Sequence, residues 1–207
     1  LLSAAARLGA ILTPLNWRLA HEDLAYAMGH AAPAILAYGS GFEDEAARLA
    51  PAARRRRIGT DGDLAADDAP SLPASDDPAA PALMVYTSGT TGRPKGALLS
   101  SAALVGNALQ SAHMHQMTAD DHILTVLPMF HVGGLNIQLT PALALGASAT
   151  IHARFDPAET LAALSRERPS LTVLVPATMA PVLALPDFAT ADLSSLRAIA
   201  TGSTIVP

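Results

Sequence analysis

Residues 83–99 read Leu83-Met84-Val85-Tyr86-Thr87-Ser88-Gly89-Thr90-Thr91-Gly92-Arg93-Pro94-Lys95-Gly96-Ala97-Leu98-Leu99. Leu83 to Tyr86 is a short apolar, β-prone run and reads as a strand. Ala97-Leu98-Leu99 reads as extended again. Between them lies a loop of glycines and hydroxyls holding the chain's single lysine, Lys95; the rest of the 13 Lys and Arg residues are arginine. Lysine is a compact point charge with three donors and arginine a planar fork, so the two differ at a phosphate. Gly89, Gly92 and Gly96 allow backbone N–H groups to converge on an anion. Thr87, Ser88, Thr90 and Thr91 add hydroxyls. The pattern is not a Walker A loop, because Pro94 and Gly96 stand where that motif needs glycine before the lysine and Ser or Thr after it. On spacing alone, a phosphate loop and an ordinary strand-to-strand turn both fit.

Downstream, apolar runs and helical segments alternate. Ser100 or Ser101 can cap a helix running to about Met117. Ile123 to Leu127 reads as a strand stopped by Pro128, followed by a helix from near Gly133 towards Leu145. Ala147 to Ile151 is a strand. Asp156 can cap a helix that starts at Pro157 and ends before Pro169. Leu171 to Val175 is a strand, Ala177 to Leu185 a helix, and Ala198 to Ala200 a last strand. Upstream, Ala4 to Leu8 reads as a helix end, Ile11-Leu12 as a short strand, Leu19 to Met28 as a helix stopped by Gly29, Ala34 to Tyr38 as a strand, and Glu43 to Leu49 as a helix, with Ile58 a candidate for another strand. This rhythm predicts an α/β fold: layered, largely parallel sheets flanked by helices. Three stretches are expected: an α/β portion over 1–60, an acidic Pro- and Ala-rich linker or surface loop over 61–79, and an α/β portion over 80–207. Arg54 to Arg57 read as a solvated run balanced by the aspartates that follow.

The 207 residues are 50% hydrophobic, enough for a sizeable core, and 4% aromatic. A net charge of −5 with no basic face argues against nucleic acid as the main partner. Without cysteine there is no disulfide and no Cys-based zinc site, which fits a cytoplasmic protein. No apolar run reaches the ~18 residues of a membrane span. Leu1 to Ala6 lacks the basic start of a signal peptide. The chain opens on Leu1 without methionine and closes on Pro207, and both ends read as cuts through a longer polypeptide. His113 and His115, two apart on a helix, do not share a face and read as no metal site. Trp17 and Tyr26 read as packing residues.

Taken whole, Thr87-Ser88-Gly89-Thr90-Thr91-Gly92 followed by Pro94-Lys95-Gly96 resembles the signature of the adenylate-forming enzymes: acyl-CoA synthetases, firefly-type luciferases and peptide-synthetase adenylation domains. Leu8-Gly9-Ala10-Ile11, Pro14-Leu15-Asn16, Arg18-Leu19 and Glu22 resemble the family's upstream segment. Pro128-Met129-Phe130-His131-Val132-Gly133-Gly134 resembles its acyl-pocket motif, and the stretch from Phe155 to Thr178 its next helix–strand unit. Phe130-His131 and the Gly-Gly step lean towards the acyl-CoA synthetase branch, whose large N-terminal domain this chain would partly represent.

The resemblance implies ATP-dependent activation of a carboxylic acid, in first place a fatty acid, to an acyl-adenylate and then a CoA thioester. It implies ATP, Mg²⁺ and CoA as co-reactants. Thr87, Ser88, Gly89, Thr90, Thr91, Gly92 and Lys95 would hold the β- and γ-phosphates, with Thr91 near the metal. Lys95 and His131 are the candidate catalytic residues. His131, Val132, Gly133, Gly134, Thr201, Gly202 and Ser203 would line the acyl pocket. His131 can donate to the substrate carboxylate or be a satisfied core histidine; Gly133 and Gly134 can admit a ligand or start a helix. Thr201-Gly202-Ser203 departs from the family's commoner Gly-Gly-Ala. The downstream adenine-stacking and acidic metal motifs, and the C-terminal domain of the same chain with its adenylation lysine, are not in this sequence, so the fragment alone is expected to be inactive. A luciferase-like or peptide-synthetase enzyme and a non-catalytic nucleotide-binding module remain the alternatives.

Overall fold

The computed structural model of the chain describes residues 1–59, 77–87 and 93–202. They fall into two structural units, Leu1–Leu99 and Ser100–Pro207. The expected linker over 61–79 lies almost wholly outside the described residues.

The first unit holds helices α1 (Leu2–Arg7), α2 (His21–Ala31) and α3 (Glu43–Leu49), and strands β1 (Leu36–Tyr38), β2 (Arg55–Arg57), β3 (Pro81–Thr87) and β4 (Lys95–Ser100). β1 and β2 pair in parallel, Leu36 opposite Arg55. β3 neighbours β4. Leu12 bridges β3 in parallel, with Leu12 N donating to the Ala82 carbonyl and Met84 N to the Leu12 carbonyl, both at 2.9 Å. The arginine run is therefore more than a solvated stretch. Its side chains at Arg56 and Arg57 are exposed, but its backbone supplies β2, and Ile58 N extends the pairing to the Tyr38 carbonyl at 2.8 Å. α2 runs through Gly29 and ends on Ala32 in the left-handed region, φ 44°. A lone helical glycine costs only ~1 kcal/mol. The buried Leu24 and Ala27 and the partners of His30 hold the last turn, and Pro33 follows the end.

The second unit holds α4 (Ser101–His115), β5 (His122–Thr125), α5 (Val132–Leu135), α6 (Leu139–Leu145), β6 (Ser148–Ile151), α7 (Pro157–Arg166), β7 (Leu171–Val173), α8 (Pro176–Leu183) and β8 (Ala198–Ala200). Its four strands form one parallel sheet in the order β6-β5-β7-β8. The caps are those the sequence suggests: Ser100 Oγ accepts from Ala103 N at 3.2 Å, and Asp156 Oδ1 from Glu159 N at 2.9 Å with Pro157 in the first turn. The single helix expected from Gly133 to Leu145 is instead α5 and α6. Pro141 explains the break: in a continuous helix its ring would meet the carbonyl four residues back, whereas in α6 it is the third residue, where no N–H is needed.

Alternation along β5 sends neighbouring side chains to opposite faces, and helices cover both. Ile123 packs with Met117, Ala142, Ala147 and Leu171. Leu124 packs with Val126, Ala163, Leu164 and Leu174. Among the described residues no helix is long and apolar enough to cross a membrane.

A polar clasp closes the amino end of this sheet. Asp121, Ser170 and Arg197 each stand immediately before a strand. Arg197 Nη2 donates to both Asp121 carboxylate oxygens, at 2.8 and 2.9 Å, and its Nη1 to the His115 carbonyl at 2.6 Å. Ser170 Oγ and Thr118 N also donate to the carboxylate, at 2.5 and 2.7 Å. Burial pushes the Asp121 carboxyl up, but these donors outweigh it and hold it below the usual carboxylate range. Asp121→Ala should cost on the order of 2 kcal/mol, read as a lower urea midpoint of the full-length protein, because it removes a buried carboxylate that Arg197, Ser170 and Thr118 all donate to. The sign with pH follows from the lowered value. The clasp contributes fully above the ordinary carboxylate pKa of about 4 and is lost as pH falls through the folded value. Asp121→Asn should therefore flatten the acid limb of a stability–pH curve.

Candidate functional site

Two regions carry the residues singled out by the sequence, one in each unit. In the first unit, β3 delivers the chain to the glycine loop and β4 receives it. Thr87 is the last residue of β3 and Lys95 the first of β4; the Lys95 side chain is exposed. Thr87 Oγ1 lies 3.5 Å from the Lys95 carbonyl, the outer limit of a hydrogen bond across the loop's mouth. Ser88, Gly89, Thr90, Thr91 and Gly92 lie outside the described residues, as does Ser203. A Cβ on Gly96 would come within 2.7 Å of Met84 Sδ and 3.1 Å of its Cγ, so β4 lies close against the Met84 side chain.

The sequence reading missed what holds the loop's two flanks. One face of α2 does so. Tyr86, next to last in β3, donates its hydroxyl to the Ala27 carbonyl at 3.1 Å, and His30 Nδ1 lies 2.8 Å from the same hydroxyl. Beside His30 is Tyr26, one helical turn back, its ring stacked on the imidazole at 5.9 Å. The Arg93 guanidinium lies over the Tyr26 ring, 5.2 Å from its centroid, and Tyr26 Oη reaches the Pro94 carbonyl at 3.4 Å. Tyr26 thus packs, as expected, and the loop's exit is what it packs against. Burial pushes the Tyr86 phenol above its usual value, and the nearby Tyr26 phenol adds to that, so the hydroxyl stays a donor. No sequence signal linked α2 to the loop, because the contacts span 56 to 68 residues.

In the second unit, the expected pocket residues follow the carboxyl ends of parallel strands, where α/β proteins place ligands. β5 leads into Pro128-Met129-Phe130-His131. β8 leads into Thr201 and Gly202. β7 leads through Val175 into Pro176. His131 is the N-cap of α5: its Nδ1 accepts a hydrogen bond from Gly133 N at 3.1 Å. An accepting Nδ1 carries no proton, so the neutral ring bears its hydrogen on Nε2. His131 and Val132 are exposed. Gly134 is buried, and its bareness has a definite use: a Cβ there would lie 2.5 Å from the carbonyl oxygens of both Leu127 and Pro128. At Gly133 a Cβ would meet nothing closer than His131 Nδ1 at 3.4 Å. The approach that Gly134 permits is thus to the chain's own backbone. Behind these glycines, Gln138 is 1% exposed, and among the described residues neither atom of its amide has a partner. It lines a small cavity with Thr125, Leu127, Gly133, Gly134 and Val173. Among the described residues no three His, Asp or Glu side chains gather to hold a metal.

The AMP-binding enzyme family matches residues 1–207. The chain belongs to the AMP-binding enzyme family. Similar AMP-binding relatives include the indoleacetate–CoA ligase of Aromatoleum aromaticum, 46% identical, with the match covering 100% of this chain and 43% of the ligase. The feruloyl-CoA synthase of an Amycolatopsis species is 34% identical over 100% of this chain and 42% of the synthase. Among solved structures, ATP-bound MatB from Rhodopseudomonas palustris superposes with a TM-score of 0.82 at 30% identity, covering 98% of this chain and 41% of MatB. The chain thus spans about two fifths of the length of each.

The two glycines of the 128–134 motif separate in a simple experiment. Gly134→Ala should cost about 3 kcal/mol, because rigid backbone on two sides cannot yield. Gly133→Ala should cost less than ~1 kcal/mol. Urea denaturation of the two full-length variants checks the ordering, and equal midpoints would contradict the packing assigned to Gly134.

Proposed function

We propose that the intact protein is an AMP-forming acid–thiol ligase, which activates a carboxylic acid with ATP and passes the acyl group to CoA. In the first step a carboxylate oxygen attacks the α-phosphorus and pyrophosphate leaves with the electrons of the broken P–O bond. In the second, the CoA thiol attacks the acyl carbonyl, loses its proton, and AMP departs. The observation that carries this reading is the unbroken Thr87-to-Gly96 motif with Lys95 exposed at the head of β4, in a chain of the AMP-binding family. The ligase names of its relatives support the same reaction class.

Charge grows on pyrophosphate as it leaves, so preplaced donors and a cation serve the transfer. In this reading Thr87, Ser88, Gly89, Thr90, Thr91, Gly92 and Lys95 cradle the β- and γ-phosphates. Mg²⁺ bound with ATP would share that charge. The loop sequence holds hydroxyls, Thr91 the one expected near the metal, and no carboxylate, so phosphate oxygens would be its main ligands here. His131 would donate Nε2–H to a carboxylate oxygen of the acid. Val132, Gly133, Gly134, Thr201, Gly202 and Ser203 would form pocket walls. The stretches 1–60 and 80–207 would be portions of one large domain joined by the linker at 61–79, with a C-terminal domain of the same polypeptide completing the enzyme in the cytoplasm.

For the acid, the family resemblance puts a fatty acid in first place. The relatives named for indoleacetate and ferulate move the favoured substrate to an aryl-substituted acid. ATP–pyrophosphate exchange by the full-length protein over arylacetic, hydroxycinnamic and long-chain acids tests this. Fastest exchange with an aryl acid is expected, fastest exchange with a long-chain acid would restore the fatty-acid reading, and no exchange with any would refute the ligase. Lys95→Arg should raise the ATP KM about tenfold, equivalent to ~1.4 kcal/mol, since a fork replaces a point charge in a glycine loop. Unchanged ATP KM and turnover would remove Lys95 from the site.

A further inference from the structure

We propose that His30 and Tyr26 on α2 are positioning residues for the nucleotide, acting through the two flanks of the glycine loop; this rests on the ligase reading above. Phosphate binding needs donors at fixed spacing, and the wide backbone freedom of glycine makes that spacing depend on how the flanks of such a sequence are held. Four contacts hold them, all from one face of one helix. On the entry side, Tyr86 Oη is fixed by the Ala27 carbonyl at 3.1 Å and His30 Nδ1 at 2.8 Å. On the exit side, the Tyr26 ring lies beside the Arg93 guanidinium and its hydroxyl reaches the Pro94 carbonyl. The Tyr26–His30 stack joins the two sides.

The proposal entails one tautomer of His30. Tyr86 has one hydroxyl proton, and a carbonyl oxygen can only accept. With that proton on the Ala27 carbonyl, His30 must donate Nδ1–H to the Tyr86 oxygen. A side chain with a donor at the Nδ1 position can therefore stand in for histidine. Asparagine has one there. Alanine has none, and glutamine carries its amide one bond further out.

The test uses the full-length protein with three readouts. Ring ¹⁵N shifts, assigned to His30 by their loss in His30→Ala, should show the Nδ1–H tautomer. ATP binding by calorimetry should weaken about tenfold in His30→Ala, as expected when binding groups lose their set positions, while KM for the acid is unchanged. His30→Asn should restore ATP affinity to within about twofold and His30→Gln should not. An Nε2–H tautomer would overturn the proposal without reference to activity. Wild-type ATP binding equalled by His30→Ala would overturn it and leave the ligase reading standing. A wild-type protein that neither binds ATP nor exchanges pyrophosphate would overturn both.

Discussion

The carboxylate of Asp121 is the point on which the second unit turns. It stands before β5, and its donors come from the residues that precede β7 and β8 and from the turn after α4. Its own carbonyl accepts from Ser148 N, at the start of β6. One side chain and its backbone thus meet the beginnings of all four parallel strands. A parallel sheet has no hairpins to set its register, since each strand returns through a helix. Here the common starting line is set by a charge that has to be satisfied, because a carboxylate left buried without donors costs several kcal/mol.

Closing the amino end has a consequence at the other end. The donors and carbonyls that precede the strands are consumed by one another. The segments after the strands are longer and carry glycine, proline and exposed side chains: Pro128 to Gly134 after β5, Thr201-Gly202 after β8. The sheet is therefore chemically polarised along its strands, with one end knitted together by its own polar groups and the other continued by segments that carry glycine, proline and the exposed His131. This division separates the segments beyond the strands from the contacts that set register, the arrangement expected of α/β folds.

Much of this was legible in the chain. Ile123-Leu124 announced a buried strand, and Asp156-Pro157 the start of α7, since a cap and a fixed φ are local facts. The bounds of α3, Glu43–Leu49, are legible in the same way. What escaped the sequence was either a cost weighed wrongly or a contact made at distance. Gly29 looked like a stop, but ~1 kcal/mol yields to the partners of His30. Pro141 sits within an apolar run that looks like one continuous helix, whereas it marks a new first turn. The Arg55 to Arg57 strand was hidden because charge patterning reports on side chains, whereas pairing with β1 is a property of the backbone. At the candidate site the motifs marked the chain's stations, Lys95 and His131 among them. They could not indicate that α2 grips the loop's flanks or that Gln138 lies buried with no partner for its amide among the described residues, because neither has a local signature.

His131 illustrates how closely local structure and chemistry are tied. The ring caps α5 through Nδ1, and that bond requires Nδ1 to be an acceptor. A doubly protonated imidazole has no acceptor, so the cap and the neutral ring exist together. The same bond leaves Nε2–H as the one polar hydrogen available to a partner, on a side chain that is exposed just beyond β5. Gly133 supplies the N–H that makes the cap, and Gly134 lets the helix begin directly against the Leu127 and Pro128 carbonyls. The His-Val-Gly-Gly string therefore acts as one device: the glycines hold a short helix against the strand's exit, and that helix holds a histidine in the tautomer that can donate. A motif of this kind is constrained twice over, by the packing of its glycines and by the proton on its ring, and its structural and chemical readings describe the same bonds.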